Sequence, residues 1–225
     1  MRYLWALLVA VTASGCAARS NAVQPVDWQA RPAELVQQGC YDCLREARDL
    51  YAGAPAAARR SVATRLLEVE LLLALREKEL AIDPAETLAR ATAIASELKP
   101  AADMTRYVAI VEAVAPDRSG TSASRRLLSP LTAGRDGFEA SVATIETSPF
   151  SALFREYLLA AIQCGRPAVQ RGDTPAAAPS TDVPLLLYRS AICERVDTEP
   201  LERVRAAVPR FVETSLFLGR AAMAT

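Results

Sequence analysis

The sequence predicts an all-α protein made of stacked antiparallel helical hairpins, arranged as a solenoid or a bundle. Alanine and leucine, which lose little conformational freedom on entering a helix, are its most frequent residues, and only 9 of its 225 residues are glycine. Apolar residues recur at helical spacing. Prolines, which a helix tolerates in its first turn but not in its interior, divide the chain into short segments. We therefore expect a series of helices joined by turns.

The predicted helices follow one another between these prolines. Residues 32–38 are helix-like, and the clearest helix follows Pro55, where one apolar stripe consists of Val62, Leu66, Val69 and Leu73. Asp83 and Pro84 are predicted as the N-cap and first-turn proline of the next helix. Helices are expected over residues 85–98, 103–115, 124–131, 137–146, 149–164, 184–195, 199–207 and 209–222. Residues 116–124 are predicted to be a loop, and the proline- and alanine-rich stretch 165–183 to be irregular.

The acidic residues of the helix that follows Pro55 do not predict a catalytic carboxylate pair. Glu68 and Glu70, like Glu77 and Glu79, are two positions apart, so their side chains point about 200° away from each other. The charged run that begins at Arg76 and ends at Glu79 is typical of a solvated helix end.

The composition limits the chemistry that the chain can perform. It has 26 Lys and Arg against 26 Asp and Glu, and no histidine, which excludes histidine triads, histidine-ligated metal sites and histidine pH switches. Balanced charge gives no basic field for nucleic acid, and the sequence lacks the common nucleotide-binding, hydrolase and metal-site motifs. We therefore expect no enzymatic activity, no cofactor, no metal and no nucleic-acid partner.

The N-terminus predicts export. An arginine at position 2 precedes an apolar run over residues 4–11 and then small residues, which is the layout of a secretory signal peptide over residues 1–15. The apolar run is too short to remain as a membrane span. The sequence at Ala13, Ser14, Gly15 and Cys16 resembles the lipobox of bacterial lipoproteins. That resemblance implies a diacylated Cys16 as the first residue of the mature chain.

The lipoprotein resemblance also implies a location. Ala17 stands where an aspartate would be the usual inner-membrane retention signal, which favours a lipid anchor in the outer membrane, on its periplasmic side. Residues 16–31 are polar and are predicted to be a lipidated tether, followed by a helical domain over residues 32–225. The alternative is an ordinary cleaved signal, with Cys16 left as a free thiol.

The other four cysteines predict disulfides. An even number of cysteines in an exported protein favours bridges, and four allow three connectivities. We favour Cys40 with Cys43 and Cys164 with Cys193, the second closing the irregular loop. A zinc site built from all four is disfavoured, because Cys164 and Cys193 do not form a second C-x-x-C knuckle.

The spacing of Cys40 and Cys43 also matches redox proteins, so an envelope thiol-disulfide redox protein is the alternative function. Such an enzyme places its cysteines between a strand and a helix, with the first thiolate at the helix N-terminus. Here the preceding segment is helix-like, which disfavours a thiol-disulfide redox protein.

Two short patterns resemble the tetratricopeptide repeat. Ala47, Tyr51 and Ala54 are similar to the small, aromatic and small positions of its second helix, and Leu218 and Gly219 to the Leu-Gly pair of its first. The glycine of that pair permits close approach of the next helix. The resemblance implies a helical-hairpin solenoid or a related bundle, with a scaffold role.

Together these features predict a membrane-anchored periplasmic lipoprotein that acts as an interaction scaffold or adaptor in the bacterial envelope. Its partners would be another envelope protein or peptide, and the membrane through the lipid on Cys16. A structural part of a larger envelope assembly is not separable from this function at the level of sequence.

Overall fold

The computed structural model describes residues 29–98, 104–114, 135–165, 182–193 and 197–223. Within these ranges the chain forms ten α-helices and no strand, so the all-α prediction is confirmed. The helices are α1 (Ala30–Gln38), α2 (Tyr41–Ala52), α3 (Ala56–Glu79), α4 (Ala85–Glu97), α5 (Thr105–Ala113), α6 (Arg135–Glu146), α7 (Ala152–Gly165), α8 (Pro184–Ala191), α9 (Thr198–Ala207) and α10 (Glu213–Met223).

Consecutive helices pack as hairpins, from α1 to α5 and again from α6 to α10. In addition α1 packs against α8, so the first hairpin contacts the last third of the chain. An open solenoid would leave each unit in contact only with its neighbours. The α1–α8 contact therefore gives this stack the character of a closed bundle.

Helix α3 is the central element, and it packs against α2, α4 and α5. It is 24 residues long, and its buried side chains include Leu67, Leu71, Leu72 and Leu73, all at most 1% exposed. Such a helix has neighbours on several sides, and in its second half, residues 68–79, no side chain is classed as exposed.

The prediction that the charged end of α3 is solvated is wrong. Arg76, Glu77 and Glu79 are 0%, 7% and 4% exposed. Lys78 is partly buried, and its Nζ donates hydrogen bonds to the carbonyl oxygens of three residues at the end of α5, namely Val111, Glu112 and Val114. The carbonyl of Val111 also accepts the N–H of Val114 at 3.3 Å. Because the last carbonyls of a helix have few partners within it, Lys78 caps the end of α5.

The starts of α4 and α10 are among those that differ from the predicted ones. Pro84 occupies the N-cap position of α4 instead of its first turn, although the Oδ1 of Asp83 still accepts the N–H of Ala85 at 3.1 Å. Helix α10 begins four residues later than predicted. A tight turn precedes it, in which the N–H of Phe211 donates to the carbonyl of Val208 at 2.8 Å, and the fully buried Phe211 ring fixes this turn to the core.

The turn between α1 and α2 requires glycine. Gly39 has a φ of +71° and caps α1 by donating its N–H to the carbonyl of Leu35. A Cβ at this position would lie 2.5 Å from the Cβ of Leu185, on α8. Gly39 thus permits both the left-handed turn and the close approach of α8.

The residues that resemble a tetratricopeptide repeat behave in two ways. Ala47, Tyr51 and Ala54 are 0%, 5% and 2% exposed, which is the packing role that the resemblance implies. Gly219 is exposed, and apart from its chain neighbours and the backbone of its own helix no described atom lies within 4 Å of the position its Cβ would take, so it does not serve a close helix contact there. Membership of the repeat family stays a prediction.

Several predictions concern residues outside the described ranges. These are the signal peptide, Cys16 and most of the tether, the loop at 116–124, the helix at 124–131 and most of the irregular stretch 165–183. Residues 30 and 31, assigned to the tether, already belong to α1. Among the helices that are described, none has both the length and the apolar character that crossing a bilayer requires.

Candidate functional site

A cleft of about 400 Å³ opens between α1, α3 and the start of α7, and we call it the α1/α3 cleft. Its apolar wall consists of Val36 from α1 and Val62 and Val69 from α3, all nearly buried. Exposed polar side chains at its edge include Gln37 and Ser61. Apolar walls with a few polar groups are the usual make-up of a ligand or peptide site.

Hydrogen bonds between α3 and α7 form the floor of the cleft. The carboxylate of Glu68, which is 3% exposed, accepts hydrogen bonds from the backbone N–H of Ser151 at 3.1 Å and from the Ser151 hydroxyl. The same hydroxyl oxygen accepts the N–H of Phe154 at 3.1 Å, which makes Ser151 the N-cap of α7. Ser151 is thus engaged as donor and acceptor, which suits a structural role.

Arg65 is the charged side chain at the rim of the cleft. Its Nη1 lies 2.8 Å from Oε2 of Glu68, yet its side chain is 48% exposed. This ion pair uses one of the five N–H donors of the guanidinium, so the group can still donate to an incoming carboxylate. Tyr51 completes the wall, and burial raises its pKa, so the phenol stays a neutral hydrogen-bonding group there.

A buried ionic network lies at the end of α3, beside the cleft helices. Arg76 is fully buried and pairs with Glu79 on its own helix and with Glu213 of α10 at 3.0 Å. Glu79 also accepts from Arg189 at 2.7 Å and from the hydroxyl of Tyr157 at 2.6 Å. Two arginines and two glutamates balance each other, so the group joins α3, α7, α8 and α10 without net charge.

The network shifts the titration of its members. Burial, followed by the charge of Glu79, raises the pKa of Tyr157 well above its ordinary value, and burial also raises the pKa of Tyr188. Burial opposes the charge of Arg76, but Tyr188 and Glu79 outweigh it, so the pKa of Arg76 is raised. With exposures between 0% and 8% for its charged members, the network is a structural junction closed to solvent.

The paired carboxylates of α3 diverge, as their spacing predicts. Glu77 accepts from the hydroxyls of Tyr41 at 3.0 Å and Thr87 at 2.9 Å, whereas Glu79 takes part in the network. Glu70 turns to α4 and pairs with Arg90 at 3.0 Å; burial outweighs this partner and raises the pKa of Glu70.

The four cysteines lie in two bonded pairs, compatible with the pairing that the sequence favours. The Cα atoms of Cys40 and Cys43 are 4.9 Å apart, and those of Cys164 and Cys193 are 5.3 Å apart, both within the ordinary range for disulfides. Cys40 and Cys43 are fully buried, whereas Cys164 and Cys193 are partly exposed.

Cys40 occupies a position that favours a reactive thiolate in one respect. It is the N-cap of α2, and its Sγ accepts the N–H of Cys43 at 3.0 Å. However, the carboxylate of Glu213 already occupies this helix N-terminus, where it accepts the N–H of Tyr41 at 2.5 Å. A second anion there would meet like-charge repulsion, and full burial denies access to a dithiol substrate.

Sequence reasoning missed the cleft and the network. Arg65, Glu68 and Arg76 lie in a helix that is rich in apolar residues, and this position is the signal that the sequence offers for them. In the described part of the chain, no group of Cys, Asp and Glu side chains is arranged to hold a metal ion.

Comparisons of this chain with protein-family models, with curated proteins and with solved structures found no match.

Proposed function

We propose that this chain is a lipoprotein, anchored through Cys16 in the outer membrane on its periplasmic side, whose helical domain is an adaptor for another envelope protein or peptide. The signal peptide, the lipobox resemblance and the all-α fold support this proposal. Recognition would be non-catalytic and would depend on surface complementarity.

The α1/α3 cleft is the observation that carries the binding role. Its wall of Val36, Val62 and Val69 would receive an apolar side chain, and the half-exposed Arg65 would pair with a carboxylate next to it. The expected ligand is therefore a peptide segment in which a bulky apolar residue adjoins an acidic side chain or a free C-terminus.

Site-specific crosslinking in intact cells tests the proposal. A photo-crosslinking residue at Gln37, which is exposed and lines the cleft, should capture one specific envelope protein. The same residue at Thr92, exposed on α4, is the matched control and should not capture it. Arg65→Ala should weaken capture from Gln37, because it removes the rim charge.

Lipidation is tested separately by Cys16→Ala. The anchored adaptor predicts that this variant no longer fractionates with the membrane and captures less partner, because tethering raises the local concentration of the domain.

Equal capture from Gln37 and Thr92 would contradict the cleft as the binding site. Unchanged membrane fractionation and no acyl group on Cys16 by mass spectrometry would contradict the anchor.

The redox alternative retains one supporting observation, the position of Cys40 at the N-terminus of α2. It predicts rapid exchange of the Cys40–Cys43 bridge with an external dithiol. Replacing both cysteines by serine separates the functions: loss of stability without loss of a thiol-dependent activity rejects the alternative. The full burial of both cysteines favours that outcome.

A further inference from the structure

Helix α10 presents an apolar face to solvent. Among the described residues, four large hydrophobic side chains are exposed, and three of them belong to this helix or the turn before it. Val212 is 66% exposed, Leu216 43% and Met223 82%. They are spaced four and seven residues apart, so they share one face of the helix.

The same face carries a positive charge at Arg220. Arg220 follows Leu216 by one turn and is exposed, and Arg210 in the preceding turn is 51% exposed while pairing with Glu46 at 3.0 Å. Between Val204 and the end of α10 the sequence contains one acid, Glu213, and it is buried in the ionic network. The exposed charges that this segment itself supplies are therefore positive; Glu46 balances that of Arg210, which leaves Arg220 as the charge beside the apolar residues.

Gly219 adds no side chain to this apolar face. It lies between Leu216 and Met223 on the same stripe, and no described atom beyond its chain neighbours and its own helix backbone lies within 4 Å of where its Cβ would be. A narrow apolar strip with a basic side chain beside it is the pattern of helices that lie in the interface of an anionic bilayer, with the apolar side chains among the acyl chains and the basic group at the phosphates.

We propose that the α10 face, formed by Val212, Leu216, Gly219, Arg220 and Met223, docks the domain on an anionic phospholipid surface. A second copy of the chain is a poorer occupant. Helix α10 has 11 residues and is about 16 Å long, too short to bury the about 800 Å² per partner of a stable interface. Two copies would also bring like-charged arginines together.

This contact goes beyond the proposed adaptor function and does not require the lipid on Cys16. An interfacial strip this small binds weakly by itself, so its role is to orient a domain that is already near the membrane. The two proposals can therefore fail independently.

Tryptophan fluorescence on vesicles tests the docking surface. The full chain with Cys16→Ala, which excludes lipidation, carries either Leu216→Trp or, as the matched control, Ala93→Trp on the exposed side of α4. The signal of the parent chain, with its two natural tryptophans, is subtracted. Vesicles are phosphatidylcholine alone or with one third phosphatidylglycerol, with and without brominated acyl chains.

We expect the tryptophan at 216 to shift to shorter wavelength and to be quenched by brominated lipid in the anionic vesicles, less in the neutral ones, and less again at high salt. The tryptophan at 93 should stay in water. Arg220→Gln, in the Leu216→Trp background, should weaken binding to anionic vesicles about fivefold, the value of one interfacial arginine. Circular dichroism confirms that each variant is folded.

Three outcomes would overturn the proposal. Absence of quenching at 216 on anionic vesicles excludes a lipid contact by this face. Equal quenching at 216 and 93 indicates unspecific adsorption of the whole protein. A wavelength shift at 216 that depends on protein concentration and needs no vesicles identifies a second copy as the occupant.

Discussion

The guanidinium carbon of Arg76 lies 3.9 Å from the centre of the Tyr188 ring, and 5.2 Å from that of Phe211. A fully buried arginine has lost its water, so these rings, together with the carboxylates of Glu79 and Glu213, replace its hydration. The aromatic contact connects α3 to α8 and to the turn before α10. The charge of Arg76 is thus held by elements from both halves of the chain.

Removing Arg76 should therefore destabilise the fold strongly. Arg76→Met keeps most of the volume but leaves Glu79 and Glu213 with fewer partners in a buried site, at a cost of about 3–5 kcal/mol. Denaturant unfolding measures this cost. Arg60→Met, at an exposed position of the same helix, is the control and should stay within about 0.5 kcal/mol of the parent. A cost below 1 kcal/mol for Arg76→Met would mean that packing, rather than charge pairing, holds this junction.

Stability should fall at alkaline pH. In the native state the pKa values of Tyr157 and Tyr188 are raised above the ordinary 10.0. Below pH 10 both states keep these phenol protons, whereas above it the unfolded chain releases them and the native state does not, so the free energy of unfolding decreases as pH rises. Unfolding curves at increasing pH measure the slope. Tyr188→Phe, which keeps the ring near Arg76, should reduce it, and an unchanged slope would argue against a raised pKa at Tyr188.

Two glycine-to-alanine changes should have opposite effects. Gly39→Ala places a Cβ against Leu185 in a left-handed turn, and should cost at least about 2 kcal/mol. Gly219→Ala adds a methyl group to open space within a helix, and should stabilise by about 0.5–1 kcal/mol. Thermal unfolding of both variants gives the comparison. Similar effects at the two positions would contradict the α1–α8 contact at Gly39.

The two disulfides should open in a fixed order. Cys164 and Cys193 are partly exposed and Cys40 and Cys43 are not, so a mild reductant should open the Cys164–Cys193 bridge first. The bridge spans 29 residues, and its loss should lower stability by about 3.6 kcal/mol in the unfolded-chain model. Alkylation and mass spectrometry at successive times identify the open pair. In denaturant the order should disappear, because burial no longer protects Cys40 and Cys43.

Most helices could be predicted from the sequence because their signals are local. Proline positions and apolar spacing locate α3, α4, α5, α6, α7 and α9 to within a few residues. Helix α10 starts later than predicted because Phe211 lies in the turn before the helix and packs into the core. Contacts with residues that are distant in sequence, such as Arg76, hold it there, and the local sequence does not reveal them.

The buried charges could not be predicted in the same way. The partners of Arg76 and Glu79 are Glu213, Arg189 and Tyr157, which lie 137, 110 and 78 residues away along the chain. A run of alternating charges looks the same locally whether water or distant side chains surround it. The α1/α3 cleft was missed for the same reason, since Glu68 meets Ser151 across 83 residues.

The hydrogen bond from the Tyr41 backbone to Glu213 joins residues 172 positions apart. Synthesis proceeds from the N-terminus, so α1 to α5 are complete long before this acceptor exists. Until α10 arrives, the start of α2 lacks its anion and Arg76 lacks one of its two carboxylates. Helix α10 thus completes a junction that the earlier helices begin, and a chain truncated before Glu213 would leave Arg76 in a core that lacks one of its carboxylates.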